Sequence, residues 1–100
     1  MYRLLLHRNV AKQLAKIPRD YAQRLANEMR ALQQNPRPEQ SIPLESELRR
    51  LRIGAYRIVY AAFDEEQTVV VLKVERRGED TYRDLDALLV RARQLLETGE

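Results

Sequence analysis

Arginine gathers in the second half of the chain in a pattern suited to gripping phosphate. Arg50 and Arg52 sit two apart on a run with strand character, and Arg57 follows the dipeptide Gly54-Ala55. Further on, Arg76-Arg77 is followed by Tyr82 and Arg83. Residues two apart in a strand share a face, so Arg50 and Arg52 point one way while Leu51 and Ile53 point the other. A two-residue turn then brings Arg57 back beside Arg52. Three segments converge cationic groups and one phenol on one end of a small sheet.

The chemistry such a cluster suits is metal-independent cleavage of RNA, in which the ribose 2′-OH attacks the adjacent phosphate. The site must hold the chain in line, remove one proton, supply another and neutralise charge on the phosphorane. Arg57, Arg76 or Arg77 suit the last task. Arginine is a poor base, since its pKa exceeds about 12. Tyr82 can donate or accept a proton if flanking arginines lower its pKa from the usual value of about 10. Glu75 and Glu47 are the alternative bases. Those two carboxylates, with Glu79 and Asp80, are also the natural ion-pair partners that would make the cluster structural.

Composition bounds the rest. One hundred residues make a single domain, 1–100, with 44% apolar residues to form a core and a net charge of +3. Of the 18 basic residues only Lys12, Lys16 and Lys73 are lysine. Arginine's planar fork binds phosphate bidentately and stacks on bases. A GC-rich genome explains the same bias equally well, so placement decides. The chain has no cysteine and one histidine, His7, which excludes disulfides and thiolate metal sites. No metal or cofactor is expected. No apolar run nears the roughly 18 residues of a membrane span, and the first residues lack a signal-peptide profile, so a cytoplasmic home is expected.

The elements that must position the arginines follow from periodicity. Tyr2 to His7 reads as a short strand buried on both faces or nearly so. Asn9 is the expected N-cap of a helix carrying Val10, Leu14 and Ile17, stopped by Pro18. A second helix from about Arg19 presents Tyr21, Ala22, Leu25, Met29 and Leu32 on one face. Residues 35–47, with Pro36, Pro38 and Pro43, read as an exposed loop. Leu48 to Ile53, Tyr56 to Phe63 and Thr68 to Val74 read as three antiparallel strands. Asp80 to Glu97 carries the leucine stripe of an amphipathic helix, which either covers the domain's own sheet or docks a partner. The expected class is α+β: a small antiparallel sheet in the order β-α-α-β-β-β-α, with a helical hairpin on one face and a C-terminal helix. Tyr56 and Tyr60 are expected in the core, and His7 as a solvent-facing or capping residue.

The string Leu48-Arg-Arg-Leu-Arg-Ile-Gly-Ala-Tyr-Arg-Ile-Val-Tyr60 resembles the R-x-G-x-Y-R-x-x-Y hairpin of the RelE/ParE toxin superfamily. Val69 to Arg77 and Thr81-Tyr82-Arg83 resemble that family's closing strand and terminal Arg and Tyr, and Asn35-Pro36-Arg37-Pro38 resembles its loop. The resemblance implies a toxin silenced by a cognate antitoxin. In its RelE form it implies a ribosome-dependent mRNA endoribonuclease that inhibits translation, with ribosome and mRNA as partners. In its ParE form it implies a non-enzymatic inhibitor of DNA gyrase. It implies catalytic roles for Arg57, for Arg76 or Arg77, and for Tyr82, and RNA-binding roles for Arg50, Arg52 and Arg83. The closing strand departs from the family's usual Gly-His-Arg or Gly-Lys-Arg, reading Glu75-Arg76-Arg77, so no histidine stands there as acid or base.

Overall fold

Side-chain alternation along the strands decides which layer each residue joins. The computed structural model describes residues 1–76, 78 and 84–99. Along them run β1 (Arg3–Leu6), α1 (Arg8–Ala15), α2 (Arg19–Ala31), β2 (Ser41–Pro43), β3 (Leu48–Ile53), β4 (Tyr56–Phe63), β5 (Thr68–Arg76) and α3 (Leu85–Thr98). The strands form one sheet in the order β1-β5-β4-β3-β2. Leu51, Ile53, Ile58 and Tyr60 face one side, where Val10 of α1 and Leu25 and Met29 of α2 bury them. Leu48, Val59, Ala61, Phe63 and Leu72 face the other, under Leu88 and Ala92 of α3. With helices on both sides, β4 is buried along its whole length. This explains its continuous apolar run, since a strand covered on both faces has no wet parity.

The α+β class is the one read from the sequence, the expected elements follow in the expected order with one strand, β2, added, and α3 covers the domain's own sheet. Several details differ. β1 runs parallel to β5, from Arg3↔Thr68 to Leu6↔Val71, while the other pairs are antiparallel, so the sheet is mixed. The helical hairpin carries the chain from one sheet edge to the other. As an edge strand β1 is not buried throughout: Leu4 and Leu5 pack into the two cores, but Leu6 is 43% exposed.

The proline-rich segment also contains a strand. β2 pairs with β3 from Ser41↔Leu51 to Pro43↔Arg49. A proline is tolerated there because β2 is the outer edge. Asn35 accepts the Arg37 N–H at 3.2 Å, turning the chain after α2. The segment is anchored by Tyr60, whose buried hydroxyl donates to the Pro36 carbonyl at 2.7 Å. Arg37 and Tyr2 both reach Asp64, at 3.0 and 2.8 Å, and together hold its carboxyl below its usual range.

The helix starts also shift. The N-cap of α1 is His7, not Asn9: the His7 ring Nδ1 accepts the Asn9 N–H at 3.1 Å. Of the segment expected to open the last helix, α3 begins at Leu85, and residues 80–83 lie outside those described. No helix among the described residues is long and apolar enough to cross a membrane.

Candidate functional site

The β3–β4 hairpin turns on two residues, Gly54 and Ala55, and only glycine fits the first. Gly54 has φ +58°, and a Cβ there would sit 1.7 Å from the Tyr21 hydroxyl. That hydroxyl, brought up by α2, accepts the Ala55 N–H at 2.7 Å and donates to the Ile53 carbonyl at 3.1 Å. The Tyr21 ring meets Tyr56 edge-on at 4.9 Å. The hairpin tip is therefore clamped from the helical side.

The clamp holds the register on which the arginines depend. Ile53 pairs with Tyr56, Arg52 with Arg57, and Arg50 with Val59. Since Leu51 and Ile53 enter the helical-hairpin core, Arg50 and Arg52 share the α3 side of the sheet with Leu48. Arg57 shares that side with Val59. The three side chains grade from exposed Arg52 through half-buried Arg50 to Arg57, which is only 6% exposed.

β5 contributes two further charges to this face. Glu75 stands opposite Arg57, so Arg57 lies between Arg52 on one neighbouring strand and Glu75 on the other. Lys73 stands opposite Val59, and its Nζ lies 3.0 Å from Glu75 Oε1. Glu75 Oε2 is buried without a hydrogen bond among the described residues.

Reading the sequence missed Lys73. Strict alternation places it with Val69 and Val71 on the helical-hairpin side. A register shift between Val59 and Tyr60 inserts one extra β5 residue and turns Lys73 and Glu75 onto the arginine face. The signal was present in the apolar pattern. Val69, Val71 and Val74 share one core, and their spacing of two then three requires a bulge.

The remaining candidates separate. Arg76 pairs with Tyr56, and its guanidinium lies 5.9 Å from the Tyr56 ring, on the helical-hairpin side of the sheet. It lines a groove of about 540 Å³ with Lys16 and Gln13. Only its backbone approaches the arginine face, its carbonyl standing 3.4 Å from Arg57 Nη2. Arg77, Tyr82 and Arg83 lie outside the described residues. Glu47 sits at the far end of β3, 3.1 Å from Arg93, and the Ser46 hydroxyl and Arg93 hold its carboxyl below the usual range. Tyr56 and Tyr60 belong to the core.

Arg50, Arg52, Arg57 and Lys73 therefore share one sheet face with a single acid, Glu75, opposite Arg57 among the described residues. Such a face concentrates positive charge and has the chemistry that suits a phosphate-bearing polyanion.

The family model described as the ParE toxin of the type II toxin–antitoxin system parDE matches residues 4–81. RelE1 of Methanocaldococcus jannaschii is 25% identical over 84 residues, which cover 79% of this chain and 92% of that protein. The crystal structure of the archaeal RelE–RelB complex from Pyrococcus horikoshii OT3 superposes with a TM-score of 0.73 at 29% identity, covering 79% of this chain and 98% of that chain. The RelBE2 toxin–antitoxin complex from Mycobacterium tuberculosis gives 0.67 at 26% identity, covering 76% and 98% respectively.

Proposed function

The chain belongs to the RelE/ParE superfamily of toxins from type II toxin–antitoxin systems, and on that premise we propose that it is a ribosome-dependent mRNA endoribonuclease held silent by a cognate antitoxin. The observation that carries this reading is the position of Arg57, nearly buried between Arg52 and Glu75 on the cationic face. A guanidinium held there can meet charge that develops on a phosphate, while the more exposed Arg52 and Arg50 hold the flanking backbone.

In the proposed reaction the ribose 2′-oxygen attacks the adjacent phosphorus and the bond to the 5′-oxygen breaks. The products are a cyclic phosphate and a free 5′-hydroxyl. Arg57 neutralises the phosphorane. Glu75, with one buried oxygen directed at no partner among the described residues, is the nearest carboxylate to accept the 2′-proton. For Tyr82 the family resemblance implies stacking or proton transfer, and the reaction uses it as proton donor to the leaving 5′-oxygen; Arg77 keeps the implied charge-stabilising role and Arg83 an RNA-binding one. Arg76 enters through its side chain only as a contact on the opposite sheet face.

The family match under the ParE description favours one second reading, a toxin that inhibits DNA gyrase without chemistry. Primer extension on transcripts after induction separates the two. Discrete cuts within codons are expected. Intact transcripts accompanied by DNA-damage signalling would overturn the nuclease in favour of gyrase.

A further inference from the structure

α1 begins with a charge that its own helix does not favour. Arg8 is its first residue, the first turn contains no acid, and a cation there opposes the positive end of the helix dipole. Arg91 of α3 comes to the same place. The two arginines line a cavity of about 490 Å³ with Leu6, His7, Gln94 and Leu95. Among the described residues no carboxylate lines that cavity, and neither arginine makes an ion pair. The positive field is strong enough that Arg91 and Arg8 add to burial in lowering the pKa of His7. With Nδ1 occupied by the Asn9 N–H, the neutral ring carries its proton on Nε2 and offers a third donor.

Local stability does not account for this gathering of like charge, and such breaches of local consistency mark functional surfaces. The surroundings point to the kind of partner. Leu6 and Val90 are 43% and 55% exposed, and Val90 lies one helical turn from Gln94. An RNA strand stacks its bases on aromatic rings and gains little from aliphatic side chains. A peptide that alternates carboxylates with aliphatic side chains uses both features: carboxylates on the guanidinium forks, aliphatic groups on the leucine and valine margin.

We propose that the cavity between the end of β1, the start of α1 and the outer side of α3 docks an acidic, aliphatic segment of a polypeptide partner. Arg8 and Arg91 hold its carboxylates, while Leu6 and Val90 seat its apolar side chains. The surface is at the sheet edge opposite the β3–β4 hairpin, and the inference holds whichever target the cationic face serves.

The test titrates the ¹⁵N-labelled full chain with three probes: an acetylated decapeptide of Glu, Asp and Leu, the same peptide with Gln and Asn in place of the acids, and a decaribonucleotide. The acidic peptide should shift the amides of Leu6, Arg8, Arg91 and Gln94. The neutral peptide should bind at least about tenfold more weakly, and so should the acidic peptide to the R8E/R91E variant. Arg8→Glu places an acid at a helix start, which favours α1, so lost binding is not lost folding. The R8Q/R91Q variant should show the same loss without charge reversal. The proposal fails if the acidic peptide leaves these amides unmoved, if the variants bind it as the parent does, or if the RNA is what moves them.

Discussion

Arg52 and Arg57 stand directly opposite each other, one pair back from the β3–β4 turn. Like charges so placed destabilise an antiparallel ladder by roughly 0.2–1 kcal/mol. The hairpin nevertheless keeps both, and Tyr21 clamps its tip from the other face so that the register cannot slip to separate them. A phosphate between the two guanidiniums would turn that repulsion into binding. Arg52→Thr should therefore change folding stability by no more than about 0.5 kcal/mol, because relieved repulsion and a good strand former offset lost contacts. RNA affinity should fall, and the slope of log affinity against log salt should drop by about 0.7, the value for one single-stranded phosphate. An unchanged slope would remove Arg52 from the phosphate-binding set.

Arg57 should behave differently. Replacing it by alanine removes the charge proposed to meet the phosphorane, and cleavage should fall by about 10²–10³, the cost of losing one such donor. Glu75 loses the charge opposite it but keeps Lys73 at 3.0 Å, so the stability cost should stay near 1–3 kcal/mol and the variant should fold. Arg57→Lys keeps the charge without the fork and should recover only part of the rate. Single-turnover rates with a urea melt of each variant decide the matter. An Arg57→Ala protein that arrests translation like the parent would end the catalytic assignment.

The sequence revealed the arginine face of β3 because alternation is strict there: Leu51 and Ile53 are core, so Arg50 and Arg52 cannot be. Gly54-Ala55 similarly set Arg57 against Arg52. β5 was harder to read, since one bulge reverses the facing of everything after Leu72, bringing Lys73 into the site and sending Arg76 out of it. The orientation of β1 was not legible because its pairing with β5 spans 65 residues, from Arg3 to Thr68, and no local pattern reports such a contact. β2 was hidden by its proline, Pro43, which an outer edge accepts. His7 took the cap from Asn9 because its ring nitrogen reaches the same helix start that Asn side chains usually satisfy.

The clamp at the hairpin tip can be measured as a coupling. Tyr21→Phe removes a hydroxyl that serves one N–H and one carbonyl, and should cost about 1 kcal/mol while the ring keeps its edge contact with Tyr56. Gly54→Ala should cost more, since it adds backbone strain at φ +58° to a clash with the Tyr21 oxygen. In Tyr21→Ala/Gly54→Ala the clash has no partner, so the double variant should be clearly less destabilised than the sum of its singles. Strict additivity, read from urea unfolding of the parent, Tyr21→Ala, Gly54→Ala and the double variant, would mean that the Tyr21 side chain does not bear on the turn.

His7 makes stability depend on pH in a window above the one in which Asp64 and Glu47 act. Its Nδ1 must be unprotonated to accept the Asn9 N–H and cap α1. Burial, with Arg91 and Arg8 adding to it, holds the folded ring below its ordinary pKa, whereas in the unfolded chain the ring titrates near 6.5. The unfolded state thus takes up the proton first. The contribution of His7 is complete above about pH 6.5 and declines as the pH falls below it. Loss of a cap sets the scale at about 1 kcal/mol. Asp64 and Glu47, both held below the usual carboxylate range, lose their contributions only at lower pH. His7→Asn offers α1 a cap that does not titrate, so its urea midpoint should stay level between about pH 7.5 and 5 while that of the parent falls. Parallel profiles for the two proteins would show that the His7 cap contributes nothing to folding.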